Sequence, residues 1–504
     1  MKLETFFEKF DQFADAPDAV TKMRELVLDS AASGKLCHTD SEEWKEGILG
    51  DVIKLISGQH LLAHEQNEER RGIPYLTGPS DFGEKSPIPA RWTDQPKVTA
   101  EPGDILITVK GSGVGKTNVL VDQPTAISRQ LMAIRVTGAD AEFVHVVLKR
   151  AAEHFQNAKT GIAIPGIGRR EVLGLKVALP PLAEQKRILA KVDELMALCD
   201  RLEAQQQERG TRHAALARAS LARFADEPTP ANLTFLFHPS YAIPPADLRK
   251  SILTLAVQGK LVPQDPNDVS VQDSVIAARK KAGLAVRALA ELASDETSFE
   301  VPESWRWVTV ADVADARLGK MLDKEKNRGE AHPYLRNTNV HWFRFELESI
   351  KTMLFESAEL DEYRVESGDV LICEGGHGIA RSAVWDSQIP GIMFQKALHR
   401  VRPLSCLNGH FLTFCLWVYE RDEILQRYYT GAGIPHFTGK ALARVTFPLP
   451  PLAEQRRIVA KVEQLMALVD ALETQLAASR TTAENLLAAV VAELTEGTHA
   501  SPAC

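Results

Sequence analysis

Nowhere does the sequence hold a long apolar run: its most apolar stretch, Phe411 to Tyr419, falls far short of the ~20 residues a membrane helix needs. The first residues, MKLETFFEKFDQF, mix acids, bases and phenylalanine without an uninterrupted apolar core, which argues against a secretory signal and for a cytoplasmic chain. Cysteine is scarce. The six (Cys37, Cys199, Cys373, Cys406, Cys415 and Cys504) include no C-x-x-C pair and no histidine at ligand spacing, so no structural metal is expected and reduced thiols are the default. Surplus positive charge is missing too. A net charge of -8 argues against coating nucleic acid by bulk charge, so any such surface must be local or shared with a partner. Catalytic signatures are absent as well. The Pro-Pro pairs stand in Leu-Pro-Pro-Leu, twice, and in Ile-Pro-Pro-Ala at Pro244-Pro245, not in the Asn-Pro-Pro-Tyr or Asp-Pro-Pro-Tyr of a methyltransferase, and neither G-x-S-x-G nor H-E-x-x-H occurs. These absences favour binding over catalysis.

What is present is ordinary in composition and unusual in order. With 504 residues, 44% hydrophobic and 25% charged, the chain is a multidomain globular protein. Leu179–Gln205 reads LPPLAEQKRILAKVDELMALCDRLEAQ and Leu449–Gln475 reads LPPLAEQRRIVAKVEQLMALVDALETQ, identical at 20 of 27 positions. Such internal repetition decides the architecture before any element is assigned. LVLDSAASGKL (Leu26–Leu36) is echoed by SILTLAVQGKL (Ser251–Leu261), Trp44 and Asp51 by Trp305 and Asp312, and Pro74-Tyr75-Leu76 by Pro333-Tyr334-Leu335. GDILITVKGSGVGKTNV (Gly103–Val119) aligns with GDVLICEGGHGIARSAV (Gly368–Val384), and Gly161, Ile164 and Pro165 align with Gly431, Ile434 and Pro435. Two divergent globular modules are each followed by nearly the same helix.

Pro180-Pro181 and Pro450-Pro451 stop a strand, and the acid of the following Ala-Glu-Gln suits a helix's first turn. Ile188, Val192, Leu195, Cys199 and Leu202 step by fours and threes, as do Ile458, Val462, Leu465, Val469 and Leu472, which is a helix-helix seam. Near-identity of the two copies points to packing on each other, or on equivalent surfaces of identical partners. The first seam degrades at Gln205–Gln207, with helical composition resuming from Ala214 to Phe224. Ser270 to about Leu292 reads as a solvated linker helix. The expected division is an N-terminal helical segment (1–42), module 1 (43–178), helix 1 (179–225), a central linker (226–300), module 2 (301–448), helix 2 (449–496) and a tail (497–504).

Each module reads as α+β and mostly sheet, with strands at Asp104–Val109, Leu131–Val136 and Asp369–Cys373 and helices at Ala141–Ala152 and Gly409–Leu425. Lys110 to Thr117 looks like a phosphate-binding loop, but the first glycine of that pattern is replaced by Lys110, and the sister segment lacks the Gly-Lys pair. Both loops keep a glycine-rich turn with a base and a hydroxyl, Lys116 and Thr117 or Arg381 and Ser382, which suits contact with a phosphate backbone. Lys110, Ser112 and Asn118 complete the first candidate cluster. In the second module Arg336, Asn337, Asn339, His377, Tyr428, Tyr429 and His436 are candidates for reaching base edges, since Arg suits guanine and Asn adenine. An ordinary glycine hairpin and surface side chains remain the plainer alternatives.

The duplicated Leu-Pro-Pro-Leu-Ala-Glu-Gln-(Lys/Arg)-Arg-Ile motif, the Gly-Asp-(Ile/Val)-Leu-Ile strands and LRKSILTLAVQGKLVPQDP (Leu248–Pro266) resemble the specificity (S) subunit of type I restriction-modification systems over nearly the whole chain. The resemblance implies an α+β fold with two mainly β target recognition domains, separated by long antiparallel coiled-coil helices in a pseudo-twofold internal repeat. Each domain would read one half of a bipartite site on double-stranded DNA, with the helices as a ruler. A helix rises ~1.5 Å per residue and half-sites one turn apart lie ~34 Å from each other, so ~23 residues span one turn. It further implies two methyltransferase (M) subunits docked on the helices and restriction (R) subunits beyond them. S-adenosylmethionine, ATP and Mg would belong to those partners, and no cofactor or catalytic residue to this chain. The competing readings are a coiled-coil scaffold without DNA preference, and a P-loop ATPase or restriction-methyltransferase fusion.

Overall fold

The computed structural model describes residues 16 and 18–496, apart from 35, 37–43, 84, 162–164, 239–240, 287–288, 290–298, 324, 377, 432 and 434. Cys37, Cys504, Ile164, Ile434 and His377 therefore lie outside the described residues. The chain forms two compact units, Met1–Gly210 with Ala478–Cys504, and Thr211–Ala477.

Unit 1 opens with α1 (Ala19–Ala32) and continues through ten strands: β1 (Lys45–Ile48), β2 (Ile53–Ser57), β3 (Ile73–Leu76), β4 (Arg91–Thr93), β5 (Thr99–Ala100), β6 (Ile105–Thr108), β7 (Thr117–Val119), β8 (Thr125–Ile127), β9 (Leu131–Val136) and β10 (Lys176–Leu179). Between β9 and β10 lie α2 (Ala141–Arg150) and α3 (Ala152–Asn157), where the sequence suggested one helix. One sheet has the order β2-β9-β6-β7, a second β4-β3-β8-β5, and β1 pairs with β10. Among the described residues of this unit only β3 and β8 pair in parallel. The turn into β6 places Gly103 at φ 92, a left-handed conformation that suits glycine after Pro102.

Long helix α4 (Leu182–Asp226) follows without a break through Gln205–Gln207 and crosses from unit 1 into unit 2. Unit 2 then contains α5 (Pro245–Val257), α6 (Val271–Lys281) and eleven strands: β11 (Arg306–Thr309), β12 (Ala314–Leu318), β13 (Glu330–Leu335), β14 (Val340–His341), β15 (Arg344–Phe345), β16 (Lys351–Phe355), β17 (Val370–Cys373), β18 (Ser382–Val384), β19 (Met393–Phe394), β20 (Leu398–Pro403) and β21 (Thr446–Leu449). Its sheets repeat the plan of unit 1: β12-β20-β17-β18, β16-β13-β19 with β13 and β19 parallel, and β11 with β21; β14-β15 is added. Helix α7 (Gly409–Arg421) lies in the same place in the chain as α2, and α8 (Leu452–Glu496) repeats α4. The α+β, mainly β reading of each module and the internal repeat hold.

The seam is divided. In unit 1, Ile188, Val192 and Leu195 are buried with Val27 and Ala31 of α1 and Phe143 and Val146 of α2. Only Cys199 and Leu202 share a cluster with the end of α8, at Ala483 and Leu487, together with Met23 and Leu26 of α1. In unit 2, Ile458, Val462, Leu465 and Val469, with Leu472 at the margin, join Leu248 and Ile252 of α5, Phe411 and Cys415 of α7, and Ala217 and Phe224 of α4. Each unit thus combines the early part of one long helix with the late part of the other, as antiparallel helices do. The first turns of each helix nevertheless seat on their own module. A stripe of period 3.5 states that a helix packs on something helical, not on which helix.

The solvated-linker reading of Ser270–Leu292 is corrected. Helix α6 ends at Lys281, and one face of it is packed rather than solvated: Val271, Val275, Ala278 and Arg279 are all buried. Among the described residues no helix is long and apolar enough to cross a membrane, and Cys199, Cys373, Cys406 and Cys415 are free thiols.

Candidate functional site

In each module three loops meet at the hairpin that closes the central sheet. β6 and β7 pair antiparallel, Ile105 with Val119 and Ile107 with Thr117, so the glycine-rich segment Val109–Lys116 is a hairpin loop. A phosphate-binding loop must open a helix whose N-terminal amides hold the anion, whereas Lys116 here leads into a strand. The loop leans on the Gly-x-x-Ile-Pro loop: Gly111 donates to the Pro165 carbonyl (2.9 Å) and Ile167 to that of Val109 (2.9 Å). Gln156 of α3 anchors it from beneath by donating to the Ser112 carbonyl at 3.3 Å, and to that of Val114. The third loop is Thr77–Asp81: a Cβ on Gly113 would come within 2.8 Å of the Pro79 ring. Asp81 closes that loop by accepting the Thr77 N–H (2.6 Å) and hydroxyl (2.9 Å).

Unit 2 rebuilds this frame with other side chains. β17 and β18 form the hairpin, Val370 with Val384 and Ile372 with Ser382. Phe437 donates to the Glu374 carbonyl (2.6 Å), and Thr430 and His436 exchange both backbone bonds (2.9 and 2.7 Å). Asn339 takes the part of Asp81, accepting the Arg336 N–H (3.0 Å) and donating to the Glu346 carbonyl (2.8 Å). Gly115 sits at φ 84, where a Cβ would stand 2.8 Å from the Ala152 carbonyl oxygen. The matching residue, Ala380, holds φ 63 without glycine's freedom.

These positions sort the candidates. Lys110, Ser112 and Lys116 are exposed on the first hairpin, and His436 is exposed on the second unit, its imidazole beside Gly375. Arg381 and Asn337 are half-buried, with Arg381 folded under Gly378. Asn118, Asn339 and Ser382 are only 6%, 1% and 0% exposed, so as surface contacts they are corrected. Asn118 instead donates to the Gly83 carbonyl (2.7 Å), since alternation along β7 turns it inward. Thr117 is half-buried and its hydroxyl meets His145 Nε2 of α2 at 3.1 Å; burial lowers the pKa of that imidazole to about 4. Arg336 reaches the Ser349 carbonyl (2.6 Å) and hydroxyl (3.1 Å). Tyr428 has its hydroxyl on Thr446 (3.1 Å), and Tyr429 donates to Glu420; burial and that carboxylate push the phenol's pKa up. Both tyrosines are thus held within the unit, the Tyr428 ring under Arg427 and the Tyr429 ring against Phe437.

Sequence reasoning passed over Ser80, exposed in the third loop of unit 1, and Arg427, whose guanidinium lies 5.0 Å from the Tyr428 ring. The repeated Pro-Tyr-Leu marker just before the third loop was the signal available for it. Also unforeseen were polar anchors present in both units. Arg135 forks onto Asp104 (2.9 and 2.8 Å), as Arg402 does onto Asp369 (both 2.8 Å). The buried Gln185 accepts the Asp140 N–H (2.8 Å) and donates to Pro180 O (2.6 Å). Gln455 likewise accepts from Asn408 (2.7 Å) and donates to Cys406 and Pro450 (both 2.9 Å). This glutamine ties the start of each long helix to the start of its module's helix. Burial raises the pKa of the neighbouring Glu454 carboxyl against the pull of Trp305 and Gln264.

Residues 41–209 and again 302–479 match the type I restriction modification DNA specificity domain. The chain belongs to that family. Among curated members it is 27% identical over 314 residues to the type I restriction enzyme EcoAI specificity subunit of Escherichia coli, covering 58% of this chain and 53% of that one. To the EcoDI specificity subunit of Escherichia coli it is 21% identical over 467 residues, 90% and 88% of the two chains. A putative MjaX specificity subunit of Methanocaldococcus jannaschii is 30% identical over 172 residues, 33% of this chain and 39% of that one. The chain spans about half the length of the first curated relatives it matches. Among solved structures, the HsdS subunit from Thermoanaerobacter tengcongensis is 28% identical, with 40% of this chain and 51% of that one covered at a TM-score of 0.33.

Proposed function

We propose that the chain is the DNA-specificity subunit of a type I restriction-modification complex, each module reading one part of a bipartite site through its three-loop end. The observation that carries this is the same loop frame built twice with different side chains, which is what two readers of different sequences require. Lys110 and Lys116 supply charge for phosphates. Asn337, Arg381 and His436 supply base-edge donors and acceptors in the second module. The chain recognises and does not catalyse. Methyltransferase subunits bring S-adenosylmethionine, and restriction subunits bring ATP and Mg. The long helices hold the modules apart and dock the methyltransferase subunits.

The test is adenine-methylation sequencing of cells that express the chain with its partner subunits. The wild type is expected to mark a two-part motif. Exchanging Gly375–Arg381 for an unrelated hairpin should alter one half-site and leave the other. A methylation pattern with no sequence preference overturns the reading in favour of a protein scaffold. Insertion of about four residues, one helical turn, after Leu202 should lengthen the unread spacer by one or two base pairs with both half-sites kept; an unchanged spacer removes the ruler.

A further inference from the structure

Each unit has a surface at the foot of its module, where the edge strand pair meets the start of the long helix, and in unit 2 the chain covers it with α6. Just ahead of α6, Asp268 accepts two bonds from Arg457 (3.2 and 2.7 Å). Val271, Val275 and Ala278 are buried, and Arg279 donates to the carbonyls of Ala311 (3.3 Å) and Asp312 (3.0 Å). Pro451 and Val313 are buried there, and Leu452 is half-buried.

Among the described residues of unit 1 no helix covers the corresponding surface. Pro181 and Arg187, which match Pro451 and Arg457, are exposed; Leu182 and Ile48 are 56% and 43% exposed. Between them lies a cleft of about 440 Å³ lined by Glu46, Ile48, Asp51, Val52 and Leu182, among others. The difference traces to sequence. Leu261 and Trp305 stand forty-four positions apart, and α6 lies between them, whereas their counterparts Leu36 and Trp44 stand eight apart.

We propose that this cleft of unit 1 is a docking site for a helix from another polypeptide, with the chemistry that α6 shows in unit 2. That helix carries an acid just ahead of its first turn, a stripe of valine and alanine, and an arginine near its end. Charge complementarity sets its direction. Arg187 faces the acid as Arg457 faces Asp268, and Glu46 with Asp51 receives the arginine, while Ile48, Val52 and Leu182 take the apolar stripe. The two units then differ in kind: unit 2 carries its own cover and unit 1 borrows one.

A fluorescent peptide of residues 268–283 added to the full chain tests this by anisotropy. Saturable binding is expected, weakened about tenfold or more by Leu182→Asp, by Arg187→Glu, or by Arg279→Ala in the peptide. Because Leu182 and Arg187 are exposed, both chain variants should keep the wild-type thermal unfolding. Arg187→Glu paired with Asp268→Lys in the peptide should restore binding. No binding to the wild type, binding indifferent to Leu182→Asp, or self-association of the chain that Leu182→Asp abolishes would each overturn the proposal.

Discussion

In unit 1 the arginine of β9 grips Asp104, and in unit 2 the arginine of β20 grips Asp369 with the same two bonds. A few residues away, the hairpin loops Lys110–Lys116 and Gly375–Arg381 share two glycines and differ at every other position. The same contrast recurs along the chain. Arg24 forks onto Asp200 and Glu203, Arg249 onto Asp470 and Glu473, while no element among the described residues of unit 1 answers to α6. Burying a polar group requires a partner of fixed geometry, so one change strands the other group. A loop tip that faces solvent is bound only by the backbone frame beneath it. Divergence has therefore collected at the tips.

The largest effect expected from breaking the likeness comes at the buried glutamines. Gln455→Leu leaves the Asn408 N–H and the Cys406 and Pro450 carbonyls without their partner, which costs roughly 3 kcal/mol. Gln185→Leu should cost a similar amount in unit 1, and denaturant unfolding read by hydrogen exchange in each unit compares them. A much smaller loss in one unit would show that the likeness is only geometric.

Acid should act almost as strongly at α2 of unit 1. The folded pKa of His145, about 4, lies below its unfolded 6.5, so the neutral imidazole contributes stability that is full above pH 6.5 and lost as pH falls toward 4. Roughly 3 kcal/mol is at stake. The matching residue in unit 2 is Thr413, and the imidazole of α7 stands three positions earlier at His410, whose pKa burial also lowers. Exchange in α2 and β7 should therefore accelerate between pH 6.5 and 4, and His145→Gln should flatten that dependence. Acid sensitivity at α2 that survives His145→Gln would contradict the assignment.

Asp104→Asn and Asp369→Asn should each cost about 2 kcal/mol, below the usual loss for a buried pair because both arginines are partly exposed and water screens them. The smallest effect runs the other way. Ala380→Gly should stabilise unit 2 by about 1 kcal/mol, since φ 63 strains any residue with a Cβ. A melting temperature unchanged by Ala380→Gly would mean that the hairpin has already relaxed that strain.

Much of this architecture could be read before any coordinate. The duplicated helix, the Gly-Asp strands and the Pro-Tyr-Leu markers are local patterns, and each fell at the boundary of an element, the first two at a start and the third at a strand's end. The partners of the helices could not be read, because Ile188 and Cys199 sit on one stripe yet face different neighbours. The candidate residues were legible by chemistry but not by direction. Asn118 and Asn339 look like base readers and are internal braces, a fate set by strand alternation and by a turn that closes on its own side chain. Arg427 was invisible because its interest lies in the Tyr428 ring beneath it.

The passage of both long helices between the units also bears on how the protein is made. The core around Met23 and Cys199 is closed by Ala483 and Leu487, which are synthesised long after it. At roughly 10 residues per second, about half a minute separates Gly210 from Ala483. Through that interval the stripe around Met23 and Cys199 waits uncovered, so the nascent chain's need for a chaperone should rise once the first module is complete and fall when Ala483 and Leu487 emerge.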